Sequence, residues 1–228
     1  MGNPYITPEL FVFLRKLKAN NNRDWFNENK ETYIKAVRDP LILLIADFAP
    51  LLSTISPHFL AIPKASGGSL FRIYRDVRFS KNKDPYKTHA GIHFRHAAGK
   101  NVHAPGFYLH IETENVFVAM GLWQPEMAVL TKIRHAITED SEKWTRILSD
   151  KEFSSTYRLE GGSLKRPPKG FDADHPLIDE IKRKDFVGVC RMSEQDAMDD
   201  NFIFRLAEIW SKSRAFMEFL TLASGQNF

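Results

Sequence analysis

The residues best suited to chemistry are concentrated in FRIYRDVRFSKNKDPYK, Phe71–Lys87. Arg72, Arg75 and Arg78 recur at every third position around Asp76. Lys81, Lys83 and Lys87 follow with Tyr86, in a turn marked by Asn82, Asp84 and Pro85. Guanidinium groups grip phosphate and carboxylate bidentately, and such a turn presents ammonium and backbone N–H groups to the same anions. The wider stretch Lys64–His103 carries nine Lys or Arg against two Asp, and four of the eight histidines: His89, His93, His96 and His103. Positive charge at this density either draws an anionic ligand or forms a solvated basic face. No GxxxxGK phosphate loop occurs.

The elements that must hold these groups follow from periodicity. Read with period two, Ser69–Phe79 puts Phe71, Ile73, Arg75, Val77 and Phe79 on one face and Arg72, Tyr74, Asp76 and Arg78 on the other. Four of the first five are core residues, so a strand is expected rather than a helix. Arg75 interrupts the apolar row. Either it finds a buried acceptor or a bulge near Asp76 turns it outward. Strands are also expected over 88–96, 106–112 and 116–122, the last two joined through TEN. If the strands share a sheet, one face is a core. The other gathers Arg72, Tyr74, Asp76, Arg78, His89, His93, Arg95, Tyr108, His110 and Glu112. That face holds no Lys and is built of groups that bind anions, move protons and stack.

Several chemistries fit it. His89, His93 and His110 with Glu112 or Asp76 would suit a transition metal, but the usual ligand spacings are absent and no metal site is assigned. Ser66, Ser69 and Ser80 lie near the site without a GxSxG elbow. Asp76 is the candidate general base, yet flanking arginines would keep it ionised, which fits a structural Arg75–Asp76 network better. Tyr74, Phe79, Tyr86 and Tyr108 interleaved with cations would suit phosphates and stacked bases, although no nucleic-acid-binding signature occurs.

A second basic segment lies in LEGGSLKRPPKGFDADHP, a loop of about twenty residues, long enough to be functional. Lys165, Arg166 and Lys169 are expected to close over the polar face beside Arg72 or Arg78. Helices are expected after Thr7–Pro8, through Trp25–Val37, and from Asp39–Pro40 to about Leu52. Others should run from Gln124–Pro125, from Asp140, near Leu177–Lys182, and as one long helix from Asp200 to Leu222. A last strand is expected near Phe186–Arg191. Together these describe one α+β domain over residues 1–228, a mainly antiparallel sheet with N- and C-terminal helices packed on its apolar face.

The chain has 228 residues, is 43% apolar and carries a net charge of +4. The lone Cys190 can form no internal disulfide and reads as a core residue. LILLIADFAPLL is too short and interrupted to span a bilayer, and MGNPYITPEL has no secretory pattern, so a cytoplasmic location is expected. No cofactor or oligomeric state is indicated.

RIYRDVRFSKNKDPY resembles the pattern R-x-x-R-D-x-R-F-x-x-[DN]-K-x-x-Y of the family known as domain of unknown function 2461. Arg72, Arg75, Asp76, Arg78, Phe79, Asn82, Lys83 and Tyr86 fill its fixed positions. NNRDWF, PGFYLHI and LKRPPKGFDADHP are also similar to the family. The resemblance covers nearly the whole chain and implies a mostly bacterial, uncharacterised protein, with no catalytic residues to carry over. The anion-site expectation comprises Arg72, Arg78, Lys81, Lys83, Tyr86, Lys87, His93, Arg95, Lys165, Arg166 and Lys169. The ligand is expected to be a phosphate- or carboxylate-bearing molecule, with an enzyme acting on a phosphorylated substrate as the first specific reading and a noncatalytic nucleic-acid or nucleotide-binding module or a purely structural arginine network as the alternatives.

Overall fold

The structure, a computed structural model, describes residues 3–99 and 104–228. His103 lies outside the described residues. The N-terminal helices are α1 (Pro8–Ala19), α2 (Arg23–Glu28), α3 (Lys30–Tyr33) and α4 (Asp39–Ile55). Strands β1 (Phe59–Leu60), β2 (His89–His96), β3 (Gly106–Glu112) and β4 (Asn115–Leu122) follow. Then come α5 (Met127–Glu139), α6 (Ser141–Ser149), α7 (Lys151–Thr156), β5 (Arg158–Glu160), α8 (Ile178–Ile181) and β6 (Phe186–Met192). The chain closes with α9 (Glu194–Ala197), α10 (Phe202–Ser211) and α11 (Arg214–Ala223).

The strands form one six-stranded antiparallel sheet in the order β1-β2-β3-β4-β6-β5. The α+β class and the covered apolar face are as the patterning requires. Ile92, Phe94, Phe107, Leu109, Ile111 and Val118 are fully buried, each from the apolar register of its strand. Helices from both ends of the chain meet them. Phe48 of α4 lies 5.3 Å from Phe94, and Trp210 of α10 lies 5.6 Å from Phe94 and 5.3 Å from Phe107.

Three expectations need correction. The helix expected through Trp25–Val37 is instead α2, α3 and a π turn over Ile34–Arg38, which runs directly into α4 at Asp39–Pro40. A proline here removes one N–H, and widening the ladder to i→i+5 bonds accommodates the loss. The long C-terminal helix is two, broken at Lys212–Ser213, where the buried Ser213 hydroxyl donates to the Trp210 carbonyl at 2.7 Å.

The third correction matters most. Ser69–Phe79 is not a strand of the sheet but irregular chain with isolated bridges at Leu70 and Tyr74. It touches β2 only at its start, where Phe71 N–H donates to the Gly91 carbonyl (2.9 Å) and His93 N–H to that of Ser69 (2.8 Å). From Ile73 the chain leaves the sheet and pairs with its own return. Arg75 N–H donates to the Pro85 carbonyl (2.9 Å) and Lys87 N–H to that of Ile73 (2.7 Å). The NNRDWF segment supplies the reason. The Asn21 side chain donates to the Tyr86 carbonyl (3.0 Å) and accepts from Tyr86 N–H (3.1 Å), holding the arm against α2. Tyr86, 4% exposed, then stacks on Phe26 at 4.1 Å. The period-two burial survives without the sheet, with Ile73 inward and Arg72 and Tyr74 outward. It fails at Phe79, which is 95% exposed at the tip.

A candidate ligand face on the sheet

The face of the sheet opposite the helices carries His89, His93 and Arg95 from β2, Tyr108, His110 and Glu112 from β3, and Phe117 from β4. The register sets His93 opposite Tyr108, His89 opposite Glu112 and His110 opposite Phe117. Two glycines let the large rings lie flat. A Cβ at Gly91 would stand 2.6 Å from the Tyr108 hydroxyl, and one at Gly106 would stand 2.2 Å from His93 Nε2. Rings then stack across the strands. Arg191 of β6 sits over Phe117 (5.9 Å), Phe117 stacks on His110 (4.6 Å, 12°), and His110 lies 4.4 Å from His89.

A hydrogen-bonded chain runs along β3. The Tyr108 hydroxyl is 3.1 Å from His110 Nδ1, and His110 Nε2 is 3.4 Å from Glu112 Oε2. Thr88 and Asn115 donate to the Glu112 carboxylate at 3.0 and 3.2 Å. Burial works against ionisation of Glu112, but hydrogen bonds from Asn115, Thr88 and His110 outweigh it and hold its pKa below the usual range. Burial lowers the pKa of His110 in spite of Glu112. Burial pushes His89 down to about 4, assisted by His110, and His93 to about 4, assisted by the charge of Arg95. Burial, with Glu112, raises Tyr108 to about 12. The floor is therefore neutral imidazole and phenol at pH 7, with Glu112 as its carboxylate.

Charge comes from the edge. Lys87 Nζ lies 5.2 Å from the Phe71 ring centre, half-buried, and among the described residues no carboxylate comes within ion-pair distance of it. Burial, then the charge of Arg72, lowers its pKa. Lys87 and Arg75 both place positive charge near His89. Phe71 reaches over this end of the face, 5.9 Å from His93 and 6.1 Å from Tyr108.

The expected site residues therefore divide. Lys87, His93 and Arg95 belong to the face, and the exposed Arg72 stands at its edge. Tyr86 does not: its ring is part of the core. Arg78 binds Asp76 at 2.6 Å, with both groups exposed, and Lys83 donates to the Val77 carbonyl at 3.0 Å. These fix the tip of the arm, where Lys81 is exposed. The Arg75–Asp76 network is not a pair. Arg75 is partly buried with Asp84 4.0 Å away, while Asp76 serves Arg78. Lys165, Arg166 and Lys169 are exposed in a loop that packs elsewhere. Leu164 N–H donates to the Lys182 carbonyl (2.8 Å), and Phe171 lies 4.9 Å from His135 of α5. That is the β6 side and the Gly121–Phe186 end of the sheet, whereas the Phe71–Lys87 arm occupies the β2 side and the His89 end. The two basic segments sit at opposite corners, with three strand spacings, about 14 Å, between β2 and β6. They do not enclose one ligand.

Sequence reading placed Tyr108, His110, Glu112 and His89 on this face, weighed the histidines and Glu112 only as metal ligands and Tyr108 only for stacking, and left Tyr108, His110, Glu112 and His89 out of the expected anion site because it favoured the arginines. The signal was present as alternate positions 108, 110 and 112 of one strand. A concavity of about 500 Å³ lies elsewhere, against β5, β6 and α10 around Cys190. Three of its four cations are answered by carboxylates: Arg191 by Glu160 (2.9 Å), Arg205 by Asp196 (2.8 Å) and Lys212 by Glu208 (2.9 Å); the fourth, Arg158, donates to the Ser154 and Tyr157 carbonyls (2.6 and 3.1 Å). Among the described residues no group of three or more His, Cys, Asp or Glu is disposed to hold a metal ion. No described helix is long and apolar enough to cross a membrane.

Fold and site together define an antiparallel α+β protein with a neutral, ring-lined sheet face bordered by cations. The chain belongs to the family described as conserved hypothetical protein, domain of unknown function 2461, whose model matches residues 9–219. Comparison with curated proteins gave no match.

Proposed function

We propose that this face binds an anionic ligand bearing a phosphate or carboxylate, with Lys87 as the charge anchor and the Phe117–His110 stack as a seat for a planar body. One observation carries the reading. Lys87 is half-buried with its ammonium 5.2 Å from the Phe71 ring centre, among the described residues no carboxylate pairs with it, and a partly buried ammonium gains from an anion. The neighbouring histidines are neutral, so they offer an anion hydrogen bonds without competing for Lys87.

A second reading rests on the arm. Phe79 and Tyr74, 95% and 54% exposed, project among Arg72, Arg78, Lys81 and Lys83. Exposed rings among cations suit stacking on single-stranded nucleic acid.

One experiment separates the two. Inorganic phosphate, a nucleoside monophosphate and a short oligonucleotide are titrated against wild type, Lys87→Met and Phe79→Ala at low salt, following Tm and binding heat. On the first reading phosphate and the monophosphate raise Tm of wild type and do nothing to Lys87→Met, which is itself at least as stable as wild type. If wild type ignores both, or Lys87→Met responds like wild type, the ligand face is misassigned. Oligonucleotide binding that Phe79→Ala weakens and Lys87→Met leaves alone would establish the second reading instead.

A further inference from the structure

We infer that Tyr108, His110 and Glu112 form a proton relay whose reacting atom is the Tyr108 hydroxyl oxygen, making the sheet face a general acid–base site for an anionic substrate. The inference rests on the anion-binding reading for its substrate class and on separate geometry for its chemistry.

Proton positions follow from the partners. An ionised carboxylate only accepts hydrogen bonds. The His110 proton therefore sits on Nε2 and points at Glu112, leaving Nδ1 bare to accept from the Tyr108 hydroxyl. The 3.1 Å separation is within the reach of a working base and its partner, and Glu112 is the third group that orients the base. The imidazole cannot swing away, since Phe117 is stacked on it at 4.6 Å and the ring is 8% exposed as a residue. Glu112 is itself held by Thr88 and Asn115.

Tyr108 is partly exposed, and its hydroxyl oxygen lies against Gly91, where a Cβ would stand 2.6 Å from it. A substrate X–H group placed there gives its proton to the Tyr108 oxygen as Tyr108 passes its own to His110 Nδ1. The imidazolium that forms is balanced by Glu112, and the negative charge left on the substrate faces the Lys87 and Arg75 end. Reversing the transfers returns a proton to the product. No oxidant, reductant or further reactant is needed.

The relay can be tested without the natural substrate. 4-(Fluorosulfonyl)benzoate is an anionic probe that reports a tyrosine hydroxyl activated by a base. The O–S bond forms, the S–F bond breaks, fluoride leaves and the hydroxyl proton goes to His110. Labelling is mapped by mass spectrometry, with the exposed Tyr74 as the internal reference. Tyr108 is expected to react about 100-fold faster than Tyr74, the scale of general base assistance. His110→Gln should abolish the advantage and Glu112→Gln should reduce it. Ring nitrogen-15 spectra of wild type should show His110 protonated at Nε2 and bare at Nδ1. Tyr108 reacting no faster than Tyr74, unchanged labelling in both variants, or the opposite tautomer would overturn the relay. The wild-type comparison and the spectra decide the matter even if a variant fails to fold. Saturating phosphate should protect Tyr108. Fast labelling that phosphate does not slow would leave the relay standing and remove the anion-binding reading.

Discussion

Tyr86→Ala is expected to lower the unfolding free energy by about 3–5 kcal/mol, the range for removing a large buried aromatic side chain. The ring is 4% exposed, stacks on Phe26 at 4.1 Å and meets Tyr74 at 5.5 Å. It anchors the outgoing and returning arms of Phe71–Lys87 to α2, and Asn21 fixes its backbone from the other side. Losing the ring uncovers Phe26 and frees the arm, so Lys87 should lose its place beside Phe71. Phosphate response should therefore weaken together with stability. Asp76→Ala should behave differently. The Asp76–Arg78 pair is exposed at both ends, and exposed pairs contribute little, so its denaturation midpoint should match wild type. Urea denaturation of the two variants checks both statements. A Tyr86→Ala protein as stable as wild type but blind to phosphate would return Tyr86 to the ligand site and refute the structural assignment.

That contrast shows where sequence reading succeeds and where it stops. Alternation identified β2, β3 and β4 nearly to the residue, because each strand has one face against α4, α10 or α11 and a one-residue slip would bury its polar set. The same alternation in Ser69–Phe79 was real but misattributed. What removes this segment from the sheet is a clamp from Asn21, some sixty residues earlier in the chain, and no local pattern encodes that partner. The candidate site was half legible for a related reason. Arginine clusters announce themselves by composition, so Arg78 and Lys83 drew attention although they only shape a loop tip. Tyr108, His110 and Glu112 are ordinary residues at alternate positions. Their meaning comes from Thr88, Asn115 and Phe117 closing around them, and from two glycines on neighbouring strands that leave the rings room. The loop with Lys165, Arg166 and Lys169 was joined to the site by charge alone. Strand order, which sequence does not print, sends it to the opposite corner.

Acid should destabilise the fold well before its carboxylates titrate, and His93 should be the main single cause. Its ring lies over Gly106, is 8% exposed as a residue, and has a pKa near 4 because burial, then the positive charge of Arg95, opposes protonation. In the unfolded chain the same imidazole titrates near its ordinary value of about 6.5. Between those values the unfolded state binds the proton and the folded state does not. Stability is thus fully present above about pH 6.5 and is lost as pH falls toward 4. A shift of this size corresponds to about 3 kcal/mol across the window. His89, also lowered to about 4, chiefly by burial and then by His110, acts in the same direction. Asp76 and Asp196, both lowered to about 2 by hydrogen bonds from Arg78 and Ser193 respectively, lose their contribution only below about pH 4, so the windows are distinct. Urea midpoints of wild type and His93→Gln at intervals from pH 7.5 to 4.5 isolate the term. Wild type should lose stability steeply below pH 6.5, and the variant should lose less. Parallel curves, or a His93 ring resonance titrating near 6.5 in the folded protein, would mean that the imidazole is solvated and that the floor of the face is not a neutral surface at all. Neutral imidazoles on the face are a premise of the binding site, so the acid titration tests that premise independently of any ligand.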